Sequence, residues 1–473
     1  MEYKEEPVPR KILIITPDTL GVLMAGPAIR AFEMAKALAR IGEVRLVSTV
    51  RAELVRDDFA VSYADDSRLR EHAAWADVIV FQGHVLAGYP WLRDSKNILV
   101  ADIYDPMHLE VLEQGKGLPS DARYGQSIQT AEVLNDQIER ADFMLCASDK
   151  QRDFWLGQLA ALCRINPATY DEDASLRSLL AVAPFGIEDN PPVQTRHGIK
   201  GVVPGISESD TVILWGGGIY NWFDPITLIR AVHALSATHP DLRLFFLGVK
   251  HPNPNVPEME VSLQARELAI ELGLLDRVVF FNEGWVPYQE RANYLLDADL
   301  GVSTHFDHLE TSFSFRTRIL DYMWASLPIV STDGDTFAGI IKEHALGRVV
   351  PPKDVAALEE ALNDLLYTEG ERSLTQENVV RYAQDLKWAD MLQPLVEFCL
   401  NPHRAADNIR GVLSPRNQRV ADLEFRIESL ERSTSWRLTL PLRWFRSLTD
   451  HQRTSIAAGR ARRRPPSGRK GVS

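Results

Sequence analysis

The stretch TVILWGGGIYNWFDPITLIRAV (residues 211–232) decides how this chain is organised. Its first five residues are of strand length and apolar after Thr211, and three glycines follow them. After a short loop, a helix is predicted from residue 224 onward. A strand, a glycine-rich turn and a helix in this order are typical of the opening unit of a parallel α/β sheet.

The same alternation continues on both sides of this stretch. Between the two halves, residues 185–210 are rich in Pro and Gly and are predicted to be a linker. We therefore predict an α/β protein with two doubly wound, Rossmann-like domains facing a cleft, at residues 1–190 and 191–385. The predicted strands are 11–18, 43–50, 77–82, 97–103, 142–148, 211–215, 242–248, 277–281, 300–304 and 327–332. The predicted helices are 27–41, 149–162, 224–237, 258–273, 287–297, 315–326, 354–368 and 371–400, with 386–402 crossing back to the first domain.

Composition places the chain among globular proteins, and its charge is uneven. The 473 residues are 45% hydrophobic and 25% charged, which suits two domains with buried cores. Residues 403–473 hold 16 Lys and Arg but only 6 Asp and Glu, although the whole chain has a net charge of −13. A basic end on an acidic body predicts an anionic partner for that end.

The cysteine spacing and the lack of an expected signal peptide or spanning helix predict a cytoplasmic protein. The three cysteines are widely spaced, which favours a reducing compartment. The charged N-terminal segment precedes only a strand-length apolar run, so no signal peptide is expected. No stretch reaches the ~20 apolar residues of a spanning helix.

Two segments carry candidate chemistry. Gly216, Gly217 and Gly218 let backbone N–H groups approach a diphosphate, or they form a tight strand-to-helix turn. In 308–335, Arg316, Arg318 and Asp321 lie near the start of a predicted helix. The arginines can bind phosphate bidentately and the carboxylate can accept two ribose hydroxyls. The alternative is a surface helix with an Arg318–Asp321 ion pair.

Several acidic and histidine side chains end predicted strands. His84 either lines a cleft or bonds to a backbone carbonyl. Asp102 and Asp105 either bind an acceptor, or act as a base, or cap a turn, and capping is favoured for Asp105 because Pro106 follows it. Asp297 and Asp299 are predicted to be turn and capping residues rather than metal ligands.

Six segments in sequence order resemble glycosyltransferase family 4, the large retaining GT-B group. DYMWASLPIVST (321–332) is similar to a signature segment of that family, and ILWGGGIYNWFDPITLIRAV (213–232) is similar to the start of its donor domain. The others are the glycine-rich loop and helix at 21–41, AWADVIVFQGH (74–84), VAPFGIED (182–189) and VVFFNEGWVPYQERANYLLDADLGVST (278–304).

The resemblance implies a GT-B fold and transfer of a sugar from a nucleoside-diphosphate sugar to a hydroxyl, with retention. The candidate catalytic residues are Arg316, Arg318, Glu310 and His84, and the candidate acceptor-side residues are Gly26 and Asp102. The candidate donor-binding residues are Gly216, Gly217, Gly218, Trp285, Val286, Ser312, Ser314 and Asp321. No metal and no other cofactor is expected, because arginines and helix dipoles can do the work of a divalent ion.

The chain departs from the family pattern in the donor domain. The first acidic residue of a conserved pair falls on Phe313, and Glu310 is expected to replace it. The Arg and Lys that normally hold the diphosphate are missing from 219–224, so Arg316 and Arg318 are expected to neutralise the phosphates. The donor sugar and base are therefore left open.

The C-terminal region predicts a short coiled coil and a membrane contact. Residues Val420, Leu423, Ile427 and Leu430 are spaced as a two-heptad seam in a linker and helix at 403–432. The segment 433–473 mixes aromatic residues with arginines, which favours peripheral contact with anionic lipid at the inner face of the cell membrane, or packing on the body. Similar tails occur on surface-polysaccharide glycosyltransferases, which implies a lipid-linked saccharide acceptor. No nucleic-acid partner is expected.

Two other function classes are left open. One is a GT-B sugar epimerase or phosphorylase, whose products would differ from those of a transferase. The other is a non-catalytic scaffold subunit, in which the missing acidic residue would mark a degenerate site.

Overall fold

The computed structural model describes residues 10–249, 251–253, 256 and 259–439. Within that part of the chain, no helix combines the length and apolar character that crossing a membrane requires. The described residues up to Val412 form one compact unit, and those from Leu413 to Thr439 belong to a second.

The first sheet of the larger unit has seven parallel strands in the order β3-β2-β1-β4-β5-β6-β7. The central strands are buried on both faces, which explains their continuous apolar sequence. The strands are β1 Arg10–Thr16, β2 Gly42–Ser48, β3 Ala60–Tyr63, β4 Val78–Gln82, β5 Ile98–Asp102, β6 Phe143–Cys146 and β7 Leu180–Val182. The helices are α1 Gly26–Leu38, α2 Asp66–Trp75, α3 Val85–Gly88, α4 Met107–Gln114, α5 Ser120–Arg140, α6 Asp149–Ala161 and α7 Pro167–Glu172, with a 3₁₀ turn at Pro90–Asp94.

The second sheet has six parallel strands in the order β10-β9-β8-β11-β12-β13. Its strands are β8 Thr211–Trp215, β9 Leu242–Phe246, β10 Val279–Phe281, β11 Leu300–Ser303, β12 Ile329–Thr332 and β13 Gly347–Val350. Its helices are α8 Pro225–Ser236, α9 Glu260–Glu271, α10 Arg291–Leu295, α11 Leu309–Phe313, α12 Arg318–Trp324, α13 Thr336–Glu343, α14 Val355–Tyr367 and α15 Glu371–Ala383, with a 3₁₀ turn at Tyr288–Glu290.

The chain crosses between the two sheets twice, and the crossings are bonded to each other. Ile187 donates its backbone N–H to the Leu386 carbonyl at 2.8 Å, and Trp388 donates to the Ile187 carbonyl at 3.1 Å. A side chain at Gly186 would meet the Trp388 backbone at 2.6 Å, so only glycine permits this approach. The two crossings therefore run side by side.

Three helices after the second crossing complete the larger unit: α16 Trp388–Met391, α17 Gln393–Leu400 and α18 Ala406–Arg410. Both α16 and α17 pack against α1. The ring of Phe398 stacks on Phe143 of β6 with centroids 4.3 Å apart. The buried Arg164–Asp407 ion pair, at 2.6 Å, fastens α18 to the loop before α7. The chain therefore returns to the first sheet after leaving the second.

The smaller unit is described from Leu413 to Thr439. It consists of α19 Pro415–Arg432 and α20 Thr434–Leu438. No residue of α19 is buried. The predicted membrane-contacting tail lies outside the described residues from 440 onward.

The two parallel sheets confirm the predicted α/β class and the two Rossmann-like domains. The ten predicted strands are present, but three others, β3, β7 and β13, were missed. Each has only three or four residues, and β3 and β13 are edge strands with few buried side chains. The helix predicted at 315–326 begins only at Arg318, and the segment predicted as 371–400 is divided among α15, α16 and α17.

Candidate functional site

A cavity of about 430 Å³ lies between the two sheets of the larger unit. It is lined by the loops that follow β1, β5, β8 and β9, together with the segment before α12. The carboxyl ends of parallel strands are where open α/β sheets bind ligands. Both domains contribute to the walls, so a bound molecule would contact both at once.

The glycine loop after β8 forms one wall of the cavity. Gly216 donates its N–H to the hydroxyl of Tyr322 at 2.7 Å, and that hydroxyl donates to the carbonyl of Val302 at 2.8 Å. Gly217 has a φ of +82°, and an added Cβ there meets nothing within 4 Å. The backbone of Gly217 is thus held in a conformation that favours glycine, with open space above it.

Arg318 begins α12 beside this loop and has no carboxylate partner among the described residues. One Nη donates to the Gly218 carbonyl at 2.7 Å, while the other has no hydrogen-bond partner. Its guanidinium lies 3.9 Å from the ring centre of Phe223 and 4.5 Å from that of Trp215. Burial lowers the pKa of Arg318 to about 10. A buried cation without an anion is costly, so this position favours an anionic ligand.

Arg316 lies beside Arg318 and also lines the cavity. It donates one Nη to Glu310 at 2.8 Å, and its Nε has no partner. Glu310 is 2% exposed and does not line the cavity, so it lies behind Arg316. Glu310 is therefore placed to orient Arg316 and not to contact a bound sugar directly.

Phe313, where the family pattern has an acidic residue, points away from the cavity. Its ring lies 4.5 Å from that of Phe154 in α6, and its carbonyl accepts a hydrogen bond from Gln151 at 2.8 Å. This segment therefore packs against the first domain, which explains the apolar residue. Ser314 lines the cavity, whereas Ser312 does not.

Asp321 lines the cavity and pairs with Arg291, not with Arg318 as the surface-helix alternative required. Arg291 donates its Nε to Asp321 at 3.1 Å and an Nη to Glu188 at 2.8 Å. The guanidinium of Arg291 is sandwiched between aromatic rings, 3.8 Å from Tyr288 and 4.3 Å from Trp324. Arg291 was not among the predicted site residues.

The loop at Trp285 and Val286 lines the cavity. The indole N–H of Trp285 donates to the Met24 carbonyl at 2.9 Å, and the Tyr288 N–H donates to the Val22 carbonyl at 3.1 Å. The loop of the second domain is thereby attached to the loop of the first domain that leads into α1. Gly26, the first residue of α1, also lines the cavity.

Two predicted first-domain residues do not face the cavity. Asp102 is buried and accepts two hydrogen bonds from Arg30, each at 2.8 Å, and one from Gln82 at 2.9 Å. These bonds occupy its carboxylate, so the prediction that Asp102 faces an acceptor is wrong in this structure. His84 is exposed at the start of α3 and is likewise absent from the cavity wall.

The first domain presents three carboxyl groups to the cavity, Asp18, Asp105 and Glu110, and the last two form a pair. Both line the cavity, and one oxygen of Asp105 has no hydrogen-bond partner. Burial, and then the nearby Glu310 charge, raise the pKa of Asp105 to about 6. Burial and the charge of Asp105 raise the pKa of Glu110 well above its ordinary value. The turn-capping interpretation of Asp105 therefore missed a carboxyl pair that is ready to exchange hydrogen bonds with a hydroxyl group.

This pair predicts an unusual pH dependence of stability. The folded protein keeps a proton on Asp105 that the unfolded chain releases near pH 4, so the free energy of unfolding should fall between about pH 4 and about pH 6. The Asp105→Asn variant should be more stable than the wild type above that range by about 3 kcal/mol, and equally stable below it. Urea unfolding across pH measures this difference. Asp153→Asn, at an exposed position, is the control, and a pH-independent difference for Asp105→Asn would contradict the interpretation.

Asp297 and Asp299 lie outside the cavity wall. The Asp297 carboxylate accepts hydrogen bonds from the backbone N–H groups of Gly198, Ile199 and Lys200 at 2.7–3.1 Å. Asp299 pairs with Lys200 at 2.8 Å. Both side chains therefore hold the linker that precedes β8.

Two parallel, Rossmann-like sheets that meet across a cavity form the GT-B fold. Residues 202–385 match the family model described as glycosyl transferases, group 1. No curated protein matches the chain by sequence. The family match lies in the second domain, which contains the glycine loop and the two arginines.

Solved structures show the same fold at low sequence identity. Anabaena HepE in complex with UDP and glucose has a TM-score of 0.60 and 13% identity, over 82% of this chain and 98% of that one. Sucrose-phosphate synthase from Thermosynechococcus elongatus has a TM-score of 0.57 and 15% identity over the same shares. WaaG, a glycosyltransferase involved in lipopolysaccharide biosynthesis, has a TM-score of 0.56 and 17% identity, over 82% of this chain and 100% of that one.

Proposed function

We propose that this protein transfers a hexosyl or deoxyhexosyl group from a nucleoside-diphosphate sugar to an acceptor hydroxyl, with retention at the anomeric carbon. The observation that carries the proposal is the pair Arg316 and Arg318. Both line the cavity beside Gly216–Gly218, both are buried, and each keeps an N–H group without a partner. Unpaired guanidinium donors beside a glycine backbone suit a diphosphate.

In the proposed reaction, the bond between the anomeric carbon and the β-phosphate oxygen breaks, and the acceptor oxygen bonds to that carbon. Negative charge grows on the leaving diphosphate, where Arg316 and Arg318 stabilise it in a buried setting. The acceptor proton passes to the released diphosphate. Glu310 keeps Arg316 oriented through its 2.8 Å hydrogen bond. We expect no metal to be required, because the arginines supply the positive charge.

The remaining cavity residues suit the other parts of the substrates. Asp321 is proposed to accept the ribose hydroxyls, held in place by Arg291. Trp285 and Val286, which line the cavity, are proposed to cover the base. Asp105 and Glu110 replace Asp102 as the proposed acceptor contacts, since they face the cavity from the first domain.

The biological setting is proposed from the charge distribution and from the family resemblance. The basic C-terminal region and the resemblance to surface-polysaccharide enzymes support a cytoplasmic protein in peripheral contact with the membrane, acting on a lipid-linked saccharide during polysaccharide or glycolipid assembly. WaaG, which shares the fold, is described as acting in lipopolysaccharide biosynthesis.

A thermal-shift screen with UDP, GDP, dTDP, ADP and CDP in EDTA tests the donor site. We expect one diphosphate to raise the melting temperature, because a ligand at 100 times its Kd adds about 2.7 kcal/mol to stability. The matching monophosphate should bind more weakly, since it lacks the second phosphate. No shift with any diphosphate, with or without magnesium and acceptor, would contradict the proposal and favour a scaffold. Product analysis with the matching nucleotide sugar then separates transfer from epimerisation or phosphorolysis.

A further inference from the structure

The helix α19 in the smaller unit carries an apolar stripe that nothing covers among the described residues. Its 18 residues include none that is buried. Val420, Leu423, Ile427 and Leu430 are between 48% and 59% exposed and lie along one face, because their 3-4-3 spacing follows the heptad repeat. An isolated helix of this length is marginal in water unless an apolar face is packed.

The kinds of apolar residue along the stripe indicate which assembly covers it. The β-branched residues Val420 and Ile427 occupy the a positions, and Leu423 and Leu430 occupy the d positions. Val or Ile at a with Leu at d favours a parallel two-stranded coiled coil over trimers and tetramers. The stripe therefore matches a second copy of the same helix.

The flanking charges select the same orientation. Arg419 and Arg426 occupy g positions, and Glu424 and Glu431 occupy e positions. In a parallel pair, each g residue faces the e residue five positions later in the other helix, so Arg419 would face Glu424 and Arg426 would face Glu431. An antiparallel pair would place arginine against arginine and glutamate against glutamate, which is unfavourable.

From these three observations we infer that α19 is a homodimerisation helix, which joins two copies of this chain as a parallel, in-register coiled coil. The helix begins at a fixed point, because the Ser414 hydroxyl accepts the N–H of Asn417 at 3.2 Å and Pro415 occupies the first turn. Two heptads bury little surface, so the dimer forms in a concentration-dependent equilibrium. This inference is independent of the proposed transferase activity.

Sedimentation equilibrium of the full chain over a concentration series tests the inference. The wild type should shift from monomer toward dimer mass as its concentration rises. Reversing the charges in R419E/R426E, or in E424R/E431R, should weaken self-association at least tenfold, because four attractive pairs become repulsive. An equimolar mixture of the two variants should form a heterodimer, because the opposite charges then face each other again. The control D422R reverses a charge at a c position, outside the seam, and should associate as the wild type does.

A cysteine at a d position tests the orientation. In a parallel, in-register dimer two Leu423→Cys side chains face each other and should form an intermolecular disulfide on mild oxidation. The wild type, with Cys146, Cys163 and Cys399, sets the background. A wild-type chain that stays monomeric throughout the series would overturn the inference, as would reversal variants that associate as strongly as the wild type. A dimer whose Leu423→Cys variant does not crosslink would overturn the parallel arrangement.

Discussion

Arg318→Met should weaken binding of the nucleoside diphosphate by about 1.5–3 kcal/mol, which is roughly a tenfold to 150-fold rise in Kd. The reason is that Arg318 offers an unpartnered N–H group to the cavity and has no carboxylate partner among the described residues. The same change should leave the unfolding free energy of the ligand-free protein within about 1 kcal/mol of wild type, or raise it, because it removes a buried charge without an ion-pair partner. Isothermal titration calorimetry and urea unfolding measure the two effects.

Arg230→Met is the matched control, since Arg230 is an exposed residue of α8. It should change neither Kd nor stability by more than about 0.5 kcal/mol. A variant at Arg318 that unfolds readily while binding the diphosphate normally would assign this arginine to the fold. Loss of binding with stability retained assigns it to the ligand.

Arg30→Met should lower the free energy of unfolding by about 3–5 kcal/mol, the largest loss of stability that we expect from a single change. Arg30 and Asp102 are both fully buried and joined by two hydrogen bonds of 2.8 Å, and Arg30 also donates to the Ala183 carbonyl at 2.8 Å. Removing the guanidinium leaves the Asp102 charge buried with only Gln82 as a neutral donor. Urea unfolding at neutral pH measures the loss.

The double variant Arg30→Met/Asp102→Leu separates this structural role from the predicted acceptor role of Asp102. If the two residues stabilise each other, the losses in unfolding free energy of the single variants should not be additive. A coupling energy of about 1–3 kcal/mol should then appear. Arg40→Met, at a position whose side chain is 65% exposed, is the control and should be close to neutral. Additive losses at the two positions would contradict a paired role.

The fold could be predicted from the sequence because its strands are long apolar runs separated by amphipathic helices. The strands β1, β4 and β8 have almost only buried side chains. Such continuous apolar runs can be recognised as strands without any tertiary information. The short edge strands β3 and β13 could not be recognised in this way, since few of their side chains are buried.

The glycines and arginines that the second domain contributes to the site could also be predicted from the sequence. The glycines after β8, and the arginines near the start of α12, are local patterns that the sheet topology brings to one cavity. Their roles stay predictions until ligand binding is measured.

The rest of the site, in both domains, could not be predicted from the sequence because it depends on distant partners. The local sequence around an aspartate near a strand end does not show whether its carboxylate has a partner. One oxygen of Asp105 has none, whereas Asp102 is paired with an arginine 72 residues away. Arg291 owes its position to Glu188 and Asp321, which lie 103 and 30 residues away. No local pattern marks such pairings.

The paired crossings at Ile187 and Leu386–Trp388 restrict the ways in which the two domains can move. A single covalent link would permit twisting as well as bending, whereas two adjacent strands bonded to each other resist torsion. Relative motion of the two domains should therefore be bending near Gly186 rather than twisting. Such bending would first have to break the hydrogen bonds that join Trp285 to Met24 and Tyr288 to Val22.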